Sequence, residues 1–107
     1  MKNEISSENT LVELAVRSDC PECDLIESQL KYLGDATGRF RIRIYDLDRD
    51  KNIPDARRSS ITPAIWIAGK LFYLGAVDPN RFMEKINRIQ MNNSIVNNHK
   101  RRLKWSN

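Results

Sequence analysis

Cys20-Pro21-Glu22-Cys23 holds the only two cysteines of the chain, and their spacing suits sulfur chemistry. The pair stands between a short apolar run, residues 11–16, and a stretch with helical periodicity, so it should sit at a helix N-terminus. Such an end presents unpaired N–H groups and about half a positive charge, which favours a thiolate over a thiol. Only the thiolate attacks a disulfide; a free cysteine of pKa about 8.5 is a few per cent ionised at pH 7, and one lowered to about 7 is half ionised. With two residues between them, the second sulfur reaches the first across one helical turn. It can then resolve a mixed disulfide by closing an intramolecular one. The chemistry implied is thiol–disulfide exchange, with Cys20 attacking and Cys23 resolving.

Other uses of two cysteines fit less well. Asp19, Glu22 and Asp24 make the surroundings too polar for core packing. A zinc site lacks ligands, since the one histidine is His99 and no second cysteine pair follows. A purely structural disulfide is rare inside cells. Two alternatives stay open: a carrier of metal or an iron–sulfur cluster, with Cys20 from two chains and outside thiols as ligands, and an interaction module without turnover. Negative charge on Asp19 and Glu22 opposes thiolate formation at Cys20, and Arg17 offsets part of it. Cys20 is therefore expected to be moderately acidic and the pair a reductant.

The elements that must position this pair can be read from periodicity. Residues 11–16 form a buried strand. Pro21 suits the first position of a helix, and Ile26, Leu30 and Leu33, with Leu25 widening the stripe, carry its apolar face to a natural stop at Gly34, with Gly38 nearby. Residues 39–45 alternate, with Phe40, Ile42 and Ile44 on one packed face and the other face wet. Residues 46–60 are loop with a short helix near 54–58. Residues 64–67 and 71–74 form a hairpin around Ala68-Gly69-Lys70. Asp78 as N-cap and Pro79 then open a last helix, whose apolar face is Phe82, Met83, Ile86 and Ile89.

The chain has 107 residues, with 18 Lys and Arg against 14 Asp and Glu, which predicts one domain with a modest core. Every acid precedes residue 90, whereas Lys100, Arg101, Arg102 and Lys104 cluster near the end, so the body is formally neutral. No nucleic-acid-binding face is expected on it. Residues 90–107, rich in asparagine, read as a basic, flexible tail, and residues 1–9 as a flexible N-terminal segment. No apolar stretch is long enough to span a membrane, and the start has no secretory character. A cytoplasmic monomer is expected.

The CPxC motif at Cys20–Cys23, Thr62-Pro63 ahead of a strand, and Gly75 followed by Asp78 together resemble the thioredoxin superfamily, most nearly its small glutaredoxin-like thioredoxins. The resemblance covers residues 10–89. It implies an α/β fold: a single thioredoxin-like domain with a four-stranded mixed sheet in the order β-α-β-α-β-β-α and helices on its faces. It implies a cis Pro63 opposite the cysteines and a backbone at Thr62 that docks substrate by strand addition. Pro21, Glu22, Thr62, Pro63 and Gly75 become the candidate substrate-binding residues, beside Asp19 and Arg17 as tuning residues. No metal ligand and no cofactor beyond the Cys20–Cys23 disulfide is expected, with glutathione an available co-substrate. The implied partners are a protein or small-molecule disulfide and a thiol reductant, either thioredoxin reductase or glutathione, in electron transport and redox homeostasis. Three positions depart from the family patterns. Asp19 stands where thioredoxins have tryptophan. Leu14 replaces their buried aspartate, with Glu13 one place away. Leu74-Gly75 replaces the glutaredoxin double glycine.

Overall fold

A computed structural model of the chain describes residues 10–106, with side chains to residue 92. The expected flexible segment 1–9 and, in the tail, the side chains of residues 93–107 lie outside the described residues. Strand β1 (Thr10–Val16) is followed by helix α1 (Pro21–Thr37), β2 (Phe40–Asp46), a 3-10 turn (Asp55–Arg57), β3 (Ala64–Ile67), β4 (Lys70–Leu74) and α2 (Pro79–Ser106). The strands form one mixed sheet in the order β2-β1-β3-β4. β1 and β2 are parallel, joined through α1, as a helical crossover requires; the other two pairings are antiparallel.

Central strands β1 and β3 are covered on both faces, which is why their sequences read as near-continuous apolar runs. On one face Val12, Leu14, Val16, Ile65 and Ile67 pack against Cys23, Ile26 and Leu30 of α1 and Phe82 and Ile86 of α2. Phe82 is fully buried and meets the Phe40 ring edge-on, with centroids 5.4 Å apart. Burying one such ring contributes about 2–3 kcal/mol. On the other face Ala15, Ala64 and Trp66 pack with Leu47.

Four expectations change. Leu25, expected to widen the packed stripe of α1, stands 56% exposed, outside the buried row of Cys23, Ile26 and Leu30. Helix α1 does not stop at Gly34 but runs one turn further, to Thr37. A Cβ on Gly34 would stand 3.2 Å from the Phe40 ring, so this glycine serves a close approach. The stop is Gly38, at φ 65°, whose N–H donates to the Gly34 carbonyl, the left-handed C-terminal cap that glycine adopts without a Cβ penalty. In β2 the face expected to be wet carries Tyr45, which is buried, while Ile42 and Ile44 are only half-buried because β2 is an edge strand. The short helix expected near 54–58 is a single 3-10 turn.

The start of α2 is as expected: Asp78 Oδ2 accepts the N–H groups of Asn80 at 3.0 Å and Arg81 at 3.2 Å. Asp78→Ala removes that cap and should cost about 1 kcal/mol, read as a lower urea midpoint at unchanged m-value. An unchanged midpoint would show that the cap contributes nothing. α2 continues past residue 89 to Ser106, through a segment with no glycine or proline to break it.

Candidate active site

β1 ends at Val16, and the chain turns through Arg17, Ser18 and Asp19, the last at φ 53°, a left-handed conformation that aspartate tolerates better than most residues. Cys20 is the N-cap of α1, in extended conformation, and Pro21 opens the helix. The Cys23 N–H donates to Cys20 Sγ at 3.1 Å, and the Asp24 N–H to the Cys20 carbonyl at 3.1 Å. The two cysteines form a disulfide with Cα atoms 5.1 Å apart. Their environments differ: Cys23 is fully buried in the core, whereas Cys20 is half-buried. An outside sulfur can approach Cys20 and is shielded from Cys23.

The sheet register gathers the other candidates at the same end. β3 pairs with β1 so that Ala64 lies opposite Ala15. Pro63 therefore falls beside Val16, where the chain leaves for Cys20. The Thr62-Pro63 bond is cis, Pro63 is fully buried, and Thr62 is half-buried. The Pro63 carbonyl accepts the Gly75 N–H at 2.6 Å, which draws the loop after β4 to this place. Glu22 and Asp19 are exposed.

Arg17 faces a different neighbour from the one its sequence position suggests. Its guanidinium meets the Asp48 carboxylate at 3.5 Å and donates to the Ser59 carbonyl at 3.2 Å. The Ser18 N–H donates to Asp48 Oδ2 at 2.7 Å. Asp48 is held below the usual carboxylate range, by the Ser18 N–H first and by Arg17 in addition. Together these bonds tie the turn before Cys20 to the loop that leads to Thr62-Pro63. Asp48 and Ser59 carry no local sequence signal of this role, being 30 and 42 residues from their partners.

Glu13 lies on the opposite face of β1 from Leu14, which is in the main core. It is 6% exposed, accepts the Tyr45 hydroxyl at 2.7 Å and pairs with Arg57 at 3.0 Å. The Arg57 guanidinium also lies over the Trp66 ring, 5.0 Å from its centroid. Glu13 therefore anchors the 3-10 turn to the far side of the sheet. Among the described residues no group of three or more His, Cys, Asp or Glu side chains is placed to hold a metal, and no helix is long and apolar enough to cross a membrane.

No sequence family and no curated protein matches the chain. Solved structures do resemble it. Chloroplastic thioredoxin z superposes with a TM-score of 0.66 at 22% identity, covering 80% of this chain and 82% of that one. Oxidized mitochondrial thioredoxin 3 from Saccharomyces cerevisiae gives 0.60 at 22% identity, covering 80% and 84%. A mutant thioredoxin from Halobacterium salinarum NRC-1 gives 0.62 at 17% identity, covering 79% of each chain. The chain has the thioredoxin fold, with a Cys-x-x-Cys disulfide at the N-terminus of its first helix.

Proposed function

We propose that this protein is a thiol–disulfide oxidoreductase that reduces disulfides of proteins or small molecules. The reading is carried by the asymmetry of the two sulfurs: Cys20 half-buried at a helix N-terminus, Cys23 fully buried one turn behind it. In the reduced protein the Cys20 thiolate attacks one sulfur of the substrate disulfide and expels the other as a thiolate, leaving a mixed disulfide. Cys23, deprotonated, attacks Cys20 Sγ and releases the second substrate thiol. The substrate gains two electrons, and the protein is left with the Cys20–Cys23 disulfide seen in the structure. An external dithiol, or two equivalents of a monothiol, restores it.

Thr62 and Gly75 flank the place where an extended substrate chain would lie; the Thr62 backbone and the Gly75 carbonyl can hold it by strand-like hydrogen bonds, the Gly75 N–H being given to Pro63. Asp19 and Glu22 add negative charge around Cys20, which moderates its acidity and favours the reductant over the oxidant. A reducing compartment such as the cytoplasm suits that role. The test is reduction of insulin, or of a small mixed disulfide, with electrons supplied either by NADPH and thioredoxin reductase or by glutathione. Turnover with one couple supports the reading and identifies the reductant. Absence of turnover with both, in protein shown to be folded and fully reducible by dithiothreitol, contradicts it.

A further inference from the structure

Arg17 is the one cation in the stretch that turns from β1 into the Cys20–Cys23 pair, and the structure carries its charge away from the sulfur. Its Cα stands three residues before that of Cys20, at most about 11 Å away in an extended chain and less through the left-handed bend at Asp19. An arginine side chain is long enough to bring its charge beside Sγ from there. Instead the guanidinium reaches across to two other segments. It meets Asp48 Oδ1 at 3.5 Å, in the loop after β2, and donates to the Ser59 carbonyl at 3.2 Å, ahead of Thr62-Pro63. The other carboxylate oxygen of Asp48 accepts the Ser18 N–H at 2.7 Å. One side chain thus holds both the backbone of the turn and the charge on it.

The loop that presents Asp48 is itself fixed. Asp46 Oδ1 accepts the N–H groups of Asp48 at 3.0 Å and Arg49 at 3.2 Å, and the Asp46 N–H donates to Asp50 Oδ2 at 2.8 Å. The Leu47 N–H donates to the carbonyl of Val16, the last residue of β1, at 2.9 Å. Exposed ion pairs contribute little to stability; the consequence of this one lies in the field at Cys20. The segments that meet there are otherwise acidic, with Asp19, Glu22 and Asp24 in the same stretch and Asp78, which lines a cavity together with Glu22, at the start of α2. The loop ahead of Thr62 adds the exposed Arg58. A guanidinium free to approach Cys20 would favour its thiolate; paired with Asp48, its charge is largely cancelled.

We propose that Asp48 is a positioning residue for the exchange: it keeps the Arg17 guanidinium off the Cys20 sulfur, and in doing so keeps the dithiol a reductant. The proposal rests on the dithiol reading above and deepens it. A thiolate stabilised by a nearby cation makes the reduced form more favourable and the pair more oxidising. Asp48 withholds that cation.

Asp48→Asn separates the two roles of the carboxylate, because the amide oxygen still accepts the Ser18 N–H while the charge that holds Arg17 is gone. Wild type, Asp48→Asn, Arg17→Gln and the double variant are compared. The Cys20 pKa is read from the pH dependence of alkylation by iodoacetamide, which reaches the half-buried Cys20 and not the buried Cys23. The potential is read from equilibrium with dithiothreitol and its cyclic disulfide, which exchange two electrons and two protons with the pair. Asp48→Asn should lower the Cys20 pKa by about half to one unit. Above that pKa it should shift the equilibrium about three- to tenfold towards the protein dithiol, up to about 30 mV. The difference in potential should close as pH falls and Cys20 becomes a thiol in every variant, and it should shrink in high salt. In the Arg17→Gln background the same substitution should move the pKa clearly less, since no guanidinium is released. Equal shifts in both backgrounds would reduce Asp48 to its own charge, and no shift in either would remove it from the chemistry. Both results overturn the proposal while leaving the oxidoreductase standing. A folded wild-type protein that cycles with dithiothreitol but reduces no disulfide substrate would instead remove the reading on which the proposal rests.

Discussion

Cys20→Ser protein should show no measurable disulfide reduction, a loss of about 1,000-fold or more. A serine hydroxyl is not ionised at neutral pH and forms no mixed disulfide, and the remaining sulfur cannot substitute. Cys23 is fully buried among Ile26, Leu30 and the sheet, out of reach of an outside disulfide until Cys20 has been engaged. The fold should survive, because the lost disulfide closes only a four-residue segment and restricts the unfolded chain little. The check is the rate of insulin reduction beside a far-ultraviolet circular dichroism melt. A Cys20→Ser protein that melts normally yet keeps a rate near wild type would place the chemistry elsewhere.

Glu13→Ala should lower stability by about 1–3 kcal/mol, the cost of leaving hydrogen-bonded groups of a partly buried cluster without their partner. The loss leaves the Arg57 guanidinium, only 18% exposed, without its counter-charge, and the Tyr45 hydroxyl without its acceptor. It also frees the 3-10 turn that Arg57 holds against Trp66. The same pair makes stability depend on acid. Burial alone would raise the Glu13 pKa, but hydrogen bonds from Arg57 and Tyr45, with the charges of Arg57 and Arg43, outweigh it and hold the carboxyl below its ordinary value. A carboxylate with a depressed folded-state pKa stabilises the fold above its unfolded pKa of about 4.3, and that contribution disappears as pH falls through the folded value. Urea midpoints for wild type and Glu13→Gln should therefore differ most at neutral pH and converge in acid. A gap independent of pH would show that Glu13 contributes by packing alone.

What could be read from the sequence was local. Cys20 to Cys23, the Asp78-Pro79 helix start and the apolar runs of β1 and β3 each depend on a few neighbouring residues, and each stands in the structure where its spacing placed it. The hairpin followed from Ala68-Gly69, and the sheet from the order of its strands. Features that depend on the sheet register were not legible. Tyr45 reads as a wet residue on an alternating strand until β1 sets Glu13 beside Arg43, and Arg57 arrives from a loop 44 residues away. Arg17 beside Asp19 suggests an electrostatic partner for Cys20, yet its guanidinium is taken by Asp48 and Ser59. Gly34 and Gly38 are equally good helix stops by composition. Only the packing of Phe40 against Gly34 assigns the first to a close contact and the second to the cap.

Division of labour between the two sulfurs underlies the proposed exchange, and trapping of the mixed disulfide tests it most directly. Reduced wild-type protein and Cys23→Ser protein are mixed with a thionitrobenzoate-labelled peptide, quenched in acid and weighed by mass spectrometry. Wild type should pass to the internal disulfide with no peptide attached, whereas Cys23→Ser should accumulate one peptide per chain, bonded to Cys20. If the peptide adduct persists equally in both proteins, Cys23 does not resolve it and the proposed exchange is wrong.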